Sequence, residues 1–194
     1  MNDIKELLIY KKYCKDKDHA CEVRKYCKMI ISALKNGTQS YKDITPQQET
    51  YLEIAALLHD IGYVTEKKSH HKHSMELILK EKLENYSDEE IKIIANIARY
   101  HRGSFPDENK HPRFAELADK DKNIVQLLAS VLRLADGLDK PHKNLVLRMR
   151  ANETADSINL YLKTIGFKPN LKMAEKKKDL FEHILQKKIN LLFE

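Results

Sequence analysis

Thr45-Pro46-Gln47-Gln48-Glu49-Thr50-Tyr51-Leu52-Glu53-Ile54-Ala55-Ala56-Leu57-Leu58-His59-Asp60-Ile61-Gly62 is the stretch from which the fold can be read. Threonine followed by proline, with glutamine three residues after the threonine, is a helix start: N-cap hydroxyl, first-turn proline and the amide of a capping box. Leu52, Ile54, Ala55, Ala56, Leu57 and Leu58 make the following turns apolar on most sides, so the helix is expected to be buried. It ends by carrying His59 and Asp60, two metal-competent side chains, toward the core just before Ile61-Gly62.

Upstream, His19, Val23, Cys27, Ile30 or Ile31, and Leu34 recur at helical spacing and stop at Asn36-Gly37, so His19 should face inward. Downstream, a helix is expected from about His71 to Glu84. Ser87-Asp88-Glu89-Glu90 is a second capping box, and its helix carries Ile91, Ile94, Ala98 and His101 on one stripe. From about Lys120 to Leu138 the apolar positions Val125, Leu128, Ala129, Leu132 and Ala135 predict a central helix, with Asp136 on its buried side. The pattern then changes. Val146-Leu147-Arg148-Met149-Arg150 and Ser157-Ile158-Asn159-Leu160-Tyr161-Leu162 alternate around a polar turn, a β-hairpin signature, and a last helix is expected from about Lys172 to Leu191. The fold class is therefore mainly α, with a helical domain over 1–142 and a small β-hairpin plus C-terminal helix appendage over 143–194.

Composition narrows the function. The chain has 194 residues with 42% hydrophobic and 33% charged, a globular balance for one domain with a single core. No run reaches the ~18 apolar residues of a membrane helix, and the N-terminus lacks the basic-then-apolar order of a signal peptide. Cys14, Cys21 and Cys27 form no CxxC and leave one cysteine over in any disulfide scheme, which points to a reducing, cytoplasmic location. The five glycines are scattered, so neither GxGxxG nor a P-loop is present. The net charge of +6 is partly local, with seven lysines against three acids between Lys168 and Lys188. Arginines and stacking aromatics are sparse there, so a solvated face is expected and a nucleic-acid partner is not.

What carries chemistry is where the helices bring histidine and aspartate. His19, His59, Asp60, His101 and Asp136 come from four helices, each on an inward stripe. A buried carboxylate without compensation costs several kcal/mol or more, and a divalent cation would satisfy carboxylates and imidazoles together. Histidine nitrogen with carboxylate oxygen suits Mn, Fe, Co, Ni or Zn, and Mg where more water remains. A Cys14–His19–Cys21 zinc site is the weaker alternative, since its spacing matches no usual zinc knuckle and no fourth ligand is evident.

These residues resemble a known pattern. His19, then His59-Asp60, then Asp136 is similar to the H…HD…D signature of the HD-domain metal-dependent phosphohydrolases, whose fold is a helical bundle. More closely, Leu57-Leu58-His59-Asp60-Ile61-Gly62-Tyr63, His70-His71-Lys72-His73-Ser74, Ala98-Arg99-Tyr100-His101-Arg102 and Leu132-Arg133-Leu134-Ala135-Asp136-Gly137-Leu138-Asp139 resemble the C-terminal HD region of the exopolyphosphatase/guanosine pentaphosphatase (Ppx/GppA) family, from about His19 to Lys188. The resemblance implies a first metal site at His19, His59, Asp60 and Asp136, with Asp60 able to bridge, and a second ion at His73 and His101. Two-metal HD proteins often carry paired histidines at that later point, whereas here Tyr100 precedes His101. That family's actin-like lobes, where its phosphatase site is usually placed, have no counterpart in this sequence, so exopolyphosphatase activity does not transfer by resemblance alone.

The function expected is a metal-dependent phosphohydrolase acting on a phosphate ester or phosphoanhydride, nucleotide or polyphosphate-like, through metal-activated water with one or two divalent ions. Asp60 is the central catalytic residue and His70, or alternatively His71, the candidate proton donor to the leaving oxygen. Lys67, Lys68, Arg102 and Arg133 are candidate phosphate contacts. The competing class is a non-catalytic HD module that binds a phosphorylated ligand or a partner protein. A homodimer through the N-terminal or C-terminal helix is compatible with both.

Overall fold

Side chains close the helix starts much as their sequences predict. In the computed structural model, which describes residues 4–139, 145–166 and 170–194, the Thr45 hydroxyl accepts from the Gln48 amide N–H at 3.3 Å. The Gln48 side chain accepts from the Thr45 N–H at 3.0 Å. Ser87 and Glu90 form the same reciprocal pair, at 3.2 and 2.8 Å. These boxes start α3 (Pro46–Leu58) and α5 (Asp88–Arg99). Asp16 caps α2 (Lys17–Gly37) by accepting from the His19 N–H at 3.0 Å, which fixes the first turn on which His19 stands. The remaining helical elements are α1 (Ile4–Tyr13), a 3-10 turn at Ile61–Val64, α4 (His70–Glu81), a short α6 (Pro112–Ala115) and α7 (Asp119–Leu138).

α7 is the axis of the bundle. From Leu128 to Leu138 every residue is buried, and α2, α3 and α5 pack around it. The chain is mainly α with a small β element, as the periodicity predicts. The hairpin is also present: β1 (Val146–Glu153) pairs antiparallel with β2 (Ser157–Thr164), and β1 lies on α2. Gly37 marks that contact, because a Cβ there would stand 2.0 Å from the Ala151 carbonyl oxygen.

The expected helix from Lys172 to Leu191 is corrected. Its first part is two short helices, α8 (Lys172–Lys177) and α9 (Asp179–Leu185), and its end is a third strand, β3 (Lys188–Phe193). Gln186 adopts the left-handed conformation (φ 52°) and ends α9. β3 then pairs parallel to β2, with Ile158 opposite Ile189 and Leu160 opposite Leu191, so β2 is the central strand. Residues 188–193 are too few for period alone to separate strand from helix, and the partner that decides lies thirty residues upstream. A parallel pair needs a crossover; α8 and α9 are that crossover, and both pack on α7.

This crossover places the C-terminal segment against the candidate site. A Cβ on Gly137 would lie 2.9 Å from the Ala174 Cα, so the missing side chain lets the α8 backbone rest on α7 one residue beyond Asp136. The expected boundary at 142/143 lies outside the described residues. Apolar side chains of the bundle and of the C-terminal segment join in one core, from Ile9 on α1 to Leu191 on β3.

Candidate metal centre

Each site histidine has one ring nitrogen anchored, which turns the other toward a common point. His59 Nδ1–H donates to the Ala56 carbonyl at 2.7 Å, His101 Nδ1–H to the Ala98 carbonyl at 2.8 Å, and His70 Nδ1–H to the Lys67 carbonyl at 2.8 Å. His19 Nδ1 lies 2.5 Å from an Asp139 carboxylate oxygen. With Nδ1 so occupied, all four rings present Nε2 inward, the arrangement by which outer partners fix the tautomer of metal-binding imidazoles. The carboxylates sit between them. His19 Nε2 is 3.3 Å from Asp136 Oδ1, and His59 Nε2 is 3.5 Å from Asp60 Oδ2. Asp60 Oδ1 faces His70 Nε2 at 3.0 Å and His101 Nε2 at 3.5 Å.

Two groups emerge, His19–His59–Asp136 and His59–Asp60–His101, each with its ligand atoms within 4.8 Å of one another. His59 Nε2 is buried and has no hydrogen-bond partner among the described residues. Burial pushes the His59 imidazole down to about 4, so at neutral pH that nitrogen carries a lone pair and no proton. Burial opposes ionisation of Asp60, but the imidazoles of His59, His70 and His101 outweigh it and hold the carboxyl well below its usual range. An inward lone pair, an ionised carboxylate and a second buried carboxylate at Asp136 are the donor set of a divalent cation, and the residues present fit one.

Local sequence explains the precision. At Gly62 a Cβ would be 2.0 Å from the His70 carbonyl oxygen, so only glycine lets the His59-Asp60 turn lie against the start of α4. Ser74 locks the same contact, donating to the His59 carbonyl at 2.6 Å and accepting from the Gly62 N–H at 2.9 Å. Tyr63 stacks on the His70 ring at 3.9 Å.

The structure brings together His19, His59, Asp60, His101 and Asp136, and it sorts the other candidates differently. His73 stands apart: its Nε2 is 3.5 Å from Glu66 and its side chain is one-third exposed. On α4 it lies three residues past His70, nearly a full turn, but its ring leaves the buried face. His70 takes the position expected for His73, inside the cluster, where its Nε2 lies 3.0 Å from Asp60 Oδ1. Lys67 and Lys68 are exposed and do not line the cavity above the cluster; Lys67 contributes only its carbonyl, to His70. Arg133 lines that cavity but is already committed. It forms a bidentate pair with Asp179 at 2.7 and 2.6 Å and donates to the Gly103 carbonyl at 3.0 Å. Arg102 lines the cavity with no hydrogen bond or ion pair among the described residues. Neither ligand group includes a cysteine, and Cys21 lies exposed beside the Tyr10 hydroxyl, so Cys14, His19 and Cys21 form no zinc site.

Sequence reasoning passed over two residues. Asp139 lies three residues after Asp136, at the C-cap of the same helix, so helical spacing was a usable signal. Lys177 had none: it arrives on the crossover, where its ammonium pairs with Asp136. Burial pushes that ammonium down to about 7, against the pull of Asp60. The cavity over the cluster measures about 240 Å³; Asp60, Asp136 and Asp179 line it with Arg102, Arg133, Lys176 and Lys177. Since Arg133 and Lys177 are paired with Asp179 and Asp136, Arg102 and Lys176 are, among the described residues, the cations left for an anion.

Residues 6–187 match the family Ppx/GppA phosphatase, domain III. The match covers nearly the whole chain, which therefore belongs to that family and is related to phosphatases through it. No curated protein matches the chain.

Proposed function

We propose that this protein is a metal-dependent phosphohydrolase of the HD type. The observation that carries the reading is the convergence of four inward Nε2 atoms and two carboxylates beneath a cavity walled by arginine and lysine. His19, His59, Asp60 and Asp136 would hold one divalent ion, and Asp60, His70 and His101 a second. A bound ion there supplies Lewis acidity, lowering the pKa of water toward neutrality and offsetting phosphoryl charge.

The chain's own part is recognition and positioning. Arg102 and Lys176 offer donors to phosphoryl oxygens at the mouth of the cavity, and Lys177 offers one beside Asp136. Asp139 holds the His19 ring, while the Ala56, Lys67 and Ala98 carbonyls hold the other three. The Arg133–Asp179 pair fixes the crossover as one wall. The cavity suits a small phosphorylated substrate, and the protein acts in the cytoplasm.

The test is metal content per chain, followed by phosphate release from phosphomonoesters, cyclic nucleotides, guanosine polyphosphates and polyphosphate. Release that requires the divalent ion and vanishes in Asp60→Ala supports the enzyme. Metal retained with ligand binding but no turnover on any of these would replace it with a binding module.

A further inference from the structure

Arg99 is buried, 5% exposed, and its guanidinium makes no hydrogen bond or ion pair with any described residue. An arginine cannot shed its charge as a lysine can, and burying a cation without a counter-charge is unfavourable. Arg99 lines a solvent-open cavity of about 480 Å³ between α4, the end of α5 and residues 104–113. This cavity shares no lining residue with the one over the metal cluster: Tyr100 lines this one and His101 the other.

The charges around it do not balance. Lys72, Lys110 and Arg113 line it with Arg99, against the single carboxylate of Glu76. Glu76 pairs with Arg113 at 3.8 Å, and Lys110 is taken by Asp107 at 2.6 Å. That leaves Arg99 and Lys72, two positive charges without an acidic partner among the described residues. Asn96 is also buried there, and its Oδ1 accepts no hydrogen bond from any described residue. Met75 supplies apolar wall, and the Tyr100 ring faces the Arg99 guanidinium, 5.2 Å from centroid to Cζ, a cation–π contact that supplies no formal negative charge. A planar guanidinium matches two phosphate oxygens at once, and a phosphate dianion meets both unbalanced charges, whereas a carboxylate meets one.

We propose that this cavity is a second anion site, independent of the metal centre, which binds the phosphate group of a small molecule with Arg99 as the buried anchor and Lys72 as its outer partner. The proposal stands whether or not the metal cluster hydrolyses phosphate esters.

The experiment is calorimetric titration of the full chain, in chelator, with inorganic phosphate, with a nucleoside monophosphate, and with acetate as control. Asp60→Ala with Lys177→Met disables the metal centre and should leave phosphate binding unchanged. Arg99→Met should weaken it by about tenfold or more, as expected for a lost charge-assisted pair, and Lys72→Glu should weaken it too. Lys72 is exposed, so that variant reads the site even if Arg99→Met fails to fold. Tighter binding of the nucleotide than of phosphate assigns an organic phosphate; equal binding assigns inorganic phosphate. No phosphate binding at millimolar concentration, binding that survives both substitutions, or binding lost with the metal-centre variant would each overturn the proposal.

Discussion

His19 depends on a carboxylate that does not face the cavity. With Nδ1 on Asp139 its Nε2 points at Asp136; replace that acceptor with an amide and either tautomer becomes available to the ring. Asp139→Asn should therefore keep the fold and lower divalent-ion affinity by about 10–100-fold, measured by competitive chelator titration. Lys177 acts in the opposite sense. Its ammonium pairs with Asp136, so it competes with an ion for that carboxylate while offering a donor to an anionic substrate. Lys177→Met is expected to tighten metal binding and raise the substrate KM, two readouts that a merely structural role would not split. Asp139 was within reach of sequence reasoning because helical spacing links it to Asp136. The exchange of His73 for His70 was not, since consecutive histidines on one helix are told apart only by which face the neighbouring helices cover.

Two contacts without side chains set the spacing between elements. Gly62 admits α4 to the His59-Asp60 turn, and Gly137 admits α8 to α7. Gly137→Ala would push a methyl to 2.9 Å from the Ala174 Cα, where backbone must move. The expected cost is about 1–3 kcal/mol, typical of overpacking, read by urea unfolding, and Lys177 should withdraw from Asp136 as α8 shifts. The caps, the stripes on α2 and α5, the buried α7 and the hairpin were all legible, since each is specified by residues within a few positions of one another. β3 was not. Its Lys188-Ile189-Asn190-Leu191-Leu192-Phe193 becomes a strand because β2 presents an edge, and no local pattern encodes that edge.

Across the whole molecule, the candidate site draws on α2, α3, α4, α5, α7 and α8, so an ion bound there would cross-link much of the fold. A ligand that binds only the folded state adds about 2.7 kcal/mol at one hundred times its Kd. At about 2–4 °C per kcal/mol for a chain of this size, loading with the preferred ion should raise Tm by ~5–10 °C. Chelator should reverse the rise, and His59→Gln should abolish it. No shift with Mn, Fe, Co, Ni, Zn or Mg would remove the metal from the functional reading. The sequence by itself determined the helical class, the hairpin, and the inward placement of His19, His59, Asp60, His101 and Asp136, because each stands on an apolar helix or within two residues of its end. Only the tertiary structure decided that His70 joins them, that Lys177 reaches Asp136, that Arg133 is spent on Asp179, and that Arg99 is buried without a counter-charge among the described residues. Those outcomes depend on which elements meet, and the meeting is set by close approaches and a parallel strand pair between residues far apart in the chain.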